Sequence, residues 1–291
     1  MTVLSSRPAQ PVDPGLVSIA LEVAGRLAND ASDVIMATAG RGARPDADES
    51  PFDWVTDTDR TLERHTRRVL TAEFPDIPVF CENADETGVD GDAEFRWVVD
   101  PVDGTSNYVA GVPWCAYSLA LVDRWGPVVG VVADPYRAQI YAAARGRGMR
   151  ANGTPVKLAE RQADSAIVCT ELTRTGPWPG MGEFISTAAV AGTGVRVLGS
   201  KALAVAQVAL GHAAAAVLHS YHEWDVAGAV ALAVESGAAV LDRRGQGKQL
   251  PVDGLLVAAP EVADEVFRWW QSALGGSNEQ LGVPEGSTRG V

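Results

Sequence analysis

Residues 100–113 read Asp-Pro-Val-Asp-Gly-Thr-Ser-Asn-Tyr-Val-Ala-Gly-Val-Pro. They follow the apolar run Phe95–Val99, whose residues predict a strand ending on Asp100. A strand end followed by a proline turn points Asp100, Asp103 and the Val102 carbonyl into one small volume. Ligands that are all oxygen suit a hard cation such as Mg²⁺. Gly104 lets the backbone approach a ligand closely, and amides opening a helical turn at Thr105 and Ser106 can hold a phosphate. The same letters also make an ordinary capped turn, because Asp and Gly are common turn residues. The segment alone leaves both readings open.

Working outward, three other segments place acids at element ends. The run Ile77–Cys81 predicts a strand that delivers Glu82. Trp224-Asp225-Val226-Ala227-Gly228 opens a predicted helix, Trp224–Ala238, with Asp225 as an N-cap or a ligand. Val55-Thr56-Asp57-Thr58-Asp59 leads into a predicted helix, Arg60–Phe74, which Asp57 or Asp59 can cap. Taken singly, each acid has a structural explanation.

The remaining pattern frames these segments. Apolar residues at helical spacing predict a helix over Gly15–Thr38, and Gly40–Pro51 reads as a loop. Ala116–Val122, Val128–Ala133 and Gln139–Ala144 predict a run of strands. Asn152-Gly153 suits a tight hairpin turn, and the nearby Gly146-Arg147-Gly148 lacks the helix a dinucleotide site would need. Ala166–Thr170 and Leu255–Ala258 predict further strands, and Lys201–Ala216 and Pro260–Leu274 predict helices. Thr173–Met181, with two prolines around Trp178, reads as a loop near a substrate mouth. The expected organisation is α/β in two subdomains: an arm at 1–13, an N-terminal unit at 14–153, a C-terminal unit at 154–274 and a flexible tail at 275–291.

The chain has 291 residues, with 24 Lys plus Arg against 37 Asp plus Glu, a formal net charge of −13. That acidity opposes a general nucleic-acid face, which needs cations against phosphates. It does not oppose small phosphorylated substrates, which metal ions can bridge to carboxylates. Three scattered cysteines, Cys81, Cys115 and Cys169, indicate neither a disulfide framework nor a zinc site. The start of the chain lacks the apolar core of a signal peptide, and no stretch reads as a membrane span, so a cytoplasmic protein is expected.

Together, the segments at 100–108 and 224–228, with Val55–Asp59 and Leu198-Gly199-Ser200, resemble the inositol monophosphatase family of lithium-sensitive, Mg²⁺-dependent phosphatases. The resemblance runs from the first helix to about Leu274. It implies an αβαβα layered sandwich, with an α+β N-terminal and an α/β C-terminal subdomain, and hydrolysis of a phosphomonoester by direct attack of water. It further implies two to three Mg²⁺ ions: a first on Glu82, Asp100 and the Val102 carbonyl, a second on Asp100, Asp103 and Asp225, and a weaker third near Glu82. Asp59 and Thr105 match the pair that activates water, and the amides of Gly104 and Thr105 match phosphate binders. A homodimer and lithium inhibition are implied in the same way. Trp114, Trp178, Trp269 and Trp270 offer candidate interface anchors.

The chain departs from the family pattern at four places. Asp48 or a neighbour stands where many members have lysine, Asn83 where a second acid is common, and Lys201 after Ser200 where a small residue is usual. Leu218 aligns with a glutamate that holds sugar hydroxyls in inositol-specific members. Ser200, Lys201 and Leu218 are therefore the expected substrate-side residues. The expected substrate is a phosphorylated sugar or polyol other than myo-inositol phosphate. The alternatives are a bisphosphate or nucleotide phosphatase of the fructose 1,6-bisphosphate or 3′-phosphoadenosine type, and a regulatory binding protein with little turnover.

Overall fold

The computed structural model describes residues 11–41, 55–81, 93–158, 166–173 and 175–280, with backbone alone for 276–280. Glu82, Asn83 and Asp48 lie outside the described residues.

The first half of the chain forms α1 (Pro14–Thr38), α2 (Asp57–Glu73) and seven strands. These are β1 (Val79–Cys81), β2 (Phe95–Asp103), β3 (Ala116–Asp123), β4 (Gly126–Asp134), β5 (Gln139–Ala144), β6 (Gly148–Ala151) and β7 (Thr154–Val156), with the short α3 (Thr105–Ala110) after β2. They build one sheet in sequence order, parallel only between β1 and β2. The expected hairpin is present: Asn152 and Gly153 take positive φ between β6 and β7. Because β7 still pairs with β6, this sheet runs through Val156, and the expected boundary at 153 falls inside a hairpin.

The second half contributes β8 (Ile167–Thr170), α4 (Met181–Val190), β9 (Gly194–Arg196), α5 (Lys201–Ala209), β10 (Ala215–Leu218), α6 (Glu223–Ser236), β11 (Ala239–Leu241), β12 (Leu255–Ala258) and α7 (Ala263–Gln280). Its sheet has the order β11-β12-β10-β8-β9, mixed in direction. Alternation along β10 sorts the layers. Ala216 and Leu218 belong to the core shared with α5 and α6, whereas Ala215 and Val217 belong to the core shared with α4 and α7. On the first sheet, Trp97, Val99, Leu119 and Leu121 belong to the core with α1 and α2, while Val98, Ala120 and Val122 cluster with Ala227 of α6. The layer order is therefore helices, sheet, helices, sheet, helices, the expected αβαβα sandwich.

The central helix α6 sits unusually close to the first sheet. A methyl group at Gly228 would lie 2.7 Å from Ser118 Oγ and 2.9 Å from the Val131 carbonyl oxygen. The glycine of the Trp-Asp-Val-Ala-Gly segment is thus a packing residue, and it fixes where the N-terminus of α6 meets the end of β2.

Three expectations need correction. The predicted helix Lys201–Ala216 is a helix to Ala209, a turn at Gly211 (φ +71°) and then the strand β10. An Ala/Val/Leu run buried on both faces carries no period, so a central strand reads like a buried helix. Second, α7 continues through Gln280 rather than ending at Leu274. Third, Trp178, Trp269 and Trp270 are buried in the core beneath α4 and α7, which removes them as interface anchors. Trp178 stacks on His219 and donates to Thr170 Oγ1 at 3.1 Å, so the segment around it packs onto β8.

Candidate active site

The site begins at the end of β2. Its register against β3 breaks between Asp100 and Asp103, which is what Pro101 requires of a strand: it has no amide hydrogen for the ladder. Asp100 Oδ1 accepts from the Val102 amide at 3.1 Å, which folds the turn back on itself. Gly104 follows with φ +89°. A methyl there would lie 2.9 Å from the Gly199 carbonyl oxygen and 3.1 Å from that of Trp114, so both conformation and space demand glycine. Thr105 then opens α3, and its hydroxyl donates to the Val102 carbonyl at 2.8 Å.

Asp225 arrives from the other side, in the first turn of α6. Its Oδ2 accepts from the His222 amide at 2.8 Å, a capping arrangement that orients the carboxylate at the helix start. Asp100, Asp103 and Asp225 are all buried, and one carboxylate oxygen from each lies within 4.8 Å of the others. Three carboxylates so close, all with oxygen donors, fit a divalent hard cation, because even with the Lys201 ammonium against Asp225 the cluster keeps a net negative charge. Of the five acids expected here, the structure thus brings these three together. Glu82 lies outside the described residues.

Asp59 uses the same device as Asp225 on a different helix. Thr56 is the N-cap of α2, and Asp59 Oδ2 accepts from the Thr56 amide at 2.8 Å and from its hydroxyl at 2.5 Å. The expected capping by Asp57 or Asp59 is replaced by this reciprocal box, in which Thr56 is the cap and Asp59 the third helical residue. Asp59 is buried. Together with Asp103 and Asp134 it acts on the Cys115 thiol, which burial above all, and then these charges, push up to about 12. Cys115 is inert as a thiolate under those conditions.

The segment Leu198–Ala202 closes the site from the second half of the chain. Asp103 accepts from the Ser200 hydroxyl, from the Ala202 amide at 2.8 Å and from the Lys201 amide at 3.2 Å. Burial pushes Asp103 up to about 6, opposed by Lys201 and reinforced by Asp225. Ser200 is also the N-cap of α5, accepting from Leu203 at 3.2 Å. The Lys201 ammonium turns inward and pairs with Asp225 Oδ2 at 2.8 Å.

Two residues that sequence reasoning missed hold this strap. Glu171 accepts from the Leu198 amide at 3.1 Å and the Gly199 amide at 2.7 Å, and burial pushes its carboxyl up to about 8. Asn107 donates to the carbonyls of Trp114 and Leu198, at 2.8 and 2.6 Å, tying α3 to the strap. Glu171 follows an apolar strand, the signal that singled out Glu82 and Asp100. Leu218 is a correction in the other direction. It is 1% exposed, sits in the same core cluster as Leu203 and Val226, and pairs with Leu255. The leucine is core, not a substrate contact.

Comparisons with known proteins agree with this geometry. The inositol monophosphatase family matches residues 18–271. The chain is 30% identical over 266 residues to a Pasteurella multocida protein named Nus factor SuhB, covering 87% of this chain and 96% of that one. It is 33% identical over 220 residues to an inositol-1-monophosphatase of Rhizobium meliloti, covering 74% and 82%. Among solved structures, a Thermotoga maritima IMPase superimposes with a TM-score of 0.80 at 25% identity, over 89% of this chain and 99% of that chain.

Proposed function

We propose, from the premise that the chain belongs to the inositol monophosphatase family and is a phosphoric monoester hydrolase, that it hydrolyses a small phosphorylated sugar or polyol other than myo-inositol phosphate with Mg²⁺. The observation that carries the catalytic part is the buried triad Asp100, Asp103 and Asp225 at the junction of β2 and α6. These three acids, with the Val102 carbonyl and Glu82, are the residues that would hold two to three Mg²⁺ ions. When bound, such ions supply Lewis-acid polarisation of the phosphate and make water more acidic.

The chain's own residues divide the remaining work. The left-handed turn at Gly104 aims the amides opening α3 at a phosphate oxygen. Thr105 is a poor base alone, so it serves to position water, with Asp59 as the acid that assists it. Thr105 keeps its hydroxyl fixed on the Val102 carbonyl, and Asp59 is held by Thr56, so both enter the reaction already oriented. Ser200 and Lys201 face the acid cluster, where they hold Asp103 and Asp225 in place.

The substrate reading rests on the family resemblance, in which Leu218 stands where inositol-specific members carry a glutamate. A site that lacks the acceptor for ring hydroxyls loses discrimination for a polyhydroxylated ring. Turnover of inositol 1-phosphate, fructose 1,6-bisphosphate and 3′-phosphoadenosine 5′-phosphate, measured side by side with Mg²⁺, tests it. A wide preference for inositol 1-phosphate overturns it, while a preference for either bisphosphate selects the corresponding alternative. The same proposal includes a homodimer, cytoplasmic residence and inhibition by Li⁺, as the family resemblance implies. Light scattering and repetition of each assay with Li⁺ check the first and last.

The Nus factor name of the Pasteurella relative favours one second reading, a regulatory binding protein of low turnover. The net charge of −13 opposes a general nucleic-acid surface in this chain. Equal phosphate release by the wild type and Asp100→Asn would favour the regulatory reading.

A further inference from the structure

We propose that Lys201 is a built-in counter-cation of the acid cluster, competing with a divalent ion for Asp225 and so setting the ion concentration at which that half of the site fills. The inference rests on the reading of Asp100, Asp103 and Asp225 as an ion site.

The geometry of Lys201 is specific. Its residue is pinned at the start of α5, where its amide donates to Asp103 Oδ1 at 3.2 Å. Its ammonium lies 2.8 Å from Asp225 Oδ2, and the carboxylate there is 6% exposed. Asp103 and Asp100 also act on it, so the single ammonium answers to all three acids of the cluster. Asp225 Oδ2 already accepts from the His222 amide and the Lys201 ammonium. An ion that takes this carboxylate must displace the ammonium or share the carboxylate with it.

Three carboxylates and one ammonium leave two negative charges, which a single divalent ion neutralises. A second divalent ion enters against the ammonium and meets no remaining excess of negative charge from these groups. The ammonium is covalently attached and always present, and its attraction to the three acids opposes the desolvation of its own charge. It therefore acts as an intramolecular competitor, and the apparent affinity of the ion falls by the fraction of time the lysine holds Asp225.

The test is Mn²⁺ binding to the full chain, with free ion followed by electron paramagnetic resonance, in the wild type, Lys201→Met, Lys201→Arg and Asp103→Asn. Lys201→Met removes the charge at similar length, and its weakest Mn²⁺ site should tighten about tenfold, the size of one charge-assisted contact. Lys201→Arg should bind like the wild type. Thermal unfolding gives a second readout: saturating Mn²⁺ should raise the melting temperature of Lys201→Met more than that of the wild type. If Lys201→Met does not fold without ion, Lys201→Gln, which keeps a donor for Asp225, is read in the same way. Unchanged or weaker Mn²⁺ binding in the neutral variants, with binding lost in Asp103→Asn, overturns the lysine proposal and leaves the ion site standing. No Mn²⁺ binding in the wild type or any variant overturns both.

Discussion

The corner at Asp100–Thr105 and the strap at Leu198–Ala202 lie against each other, yet they are built by opposite means. The corner is local: a proline, a left-handed glycine and two acids within a few residues dictate its shape, and its hydrogen bonds run between near neighbours. The strap is tertiary. It reaches the site from the second sheet, and distant residues hold it, Glu171 and Asn107 behind and Asp103 in front. In the proposed function the corner supplies the chemistry, and the strap's three donors hold Asp103 in place for it. Asp103 belongs to both, since it closes the corner and accepts three donors from the strap.

The largest effect should come from breaking that shared residue. Asp103→Asn removes an ion-binding charge and an acceptor for the strap. Phosphate release should fall on the order of 10³-fold, with the circular dichroism spectrum unchanged. Ser200→Ala leaves the corner whole and removes one donor from Asp103. Loss of an outer partner of an ion-binding residue should weaken Mg²⁺ dependence and turnover by about 10-fold, measured as the Mg²⁺ concentration for half-maximal rate.

The pH dependence follows from Asp103, which burial raises from 3.8 to about 6. Ion binding needs the carboxylate, so Mg²⁺ affinity should fall about tenfold per pH unit below 6 and level off above it. Calorimetric titration across that range checks this. Without ions the sign is reversed: a carboxyl whose proton is held more tightly in the folded state loses stability as pH rises from 3.8 to about 6. Urea unfolding in chelator should therefore show a falling contribution over that window, which Mg²⁺ restores.

A smaller effect is expected at Glu171, which no substrate touches in this account. Glu171→Gln replaces one of two acceptors by a donor facing the Leu198 or Gly199 amide. Turnover should drop a few-fold, and Glu171→Asp, which keeps the acceptors, should recover part of it. The smallest effect on activity should be at Leu218. Leu218→Val should cost about 1 kcal/mol of stability, with KM unchanged. A large rise in KM would return residue 218 to the substrate surface.

The same contrast explains what was legible in the sequence. Strands β5 and β12 and the hairpin at Asn152-Gly153 follow from local pattern, as does the acid corner. Asp225 and Asp59 were legible as acids at helix starts, but only folding shows that reciprocal capping orients each carboxylate. The strand β10 was hidden inside an alanine-rich run, because a doubly buried strand carries no alternation. Glu171 was hidden for a different reason. An acid after a strand is usually solvated, and only the partner amides, 27 and 28 residues away, show it to be a brace. Lys201 was expected on the substrate side, and its pairing with Asp225 depends on a contact 24 residues away.

In the proposed function, a divalent ion held at the junction of the corner and α6 drives phosphate release. Inorganic phosphate released from a phosphomonoester, by wild type and Asp225→Asn, with chelator and then with Mg²⁺ added back, measures it directly. Chelator should abolish release by the wild type, Mg²⁺ should restore it, and Asp225→Asn should stay near background throughout. Release that persists in chelator, or an Asp225→Asn rate equal to the wild type, would contradict it.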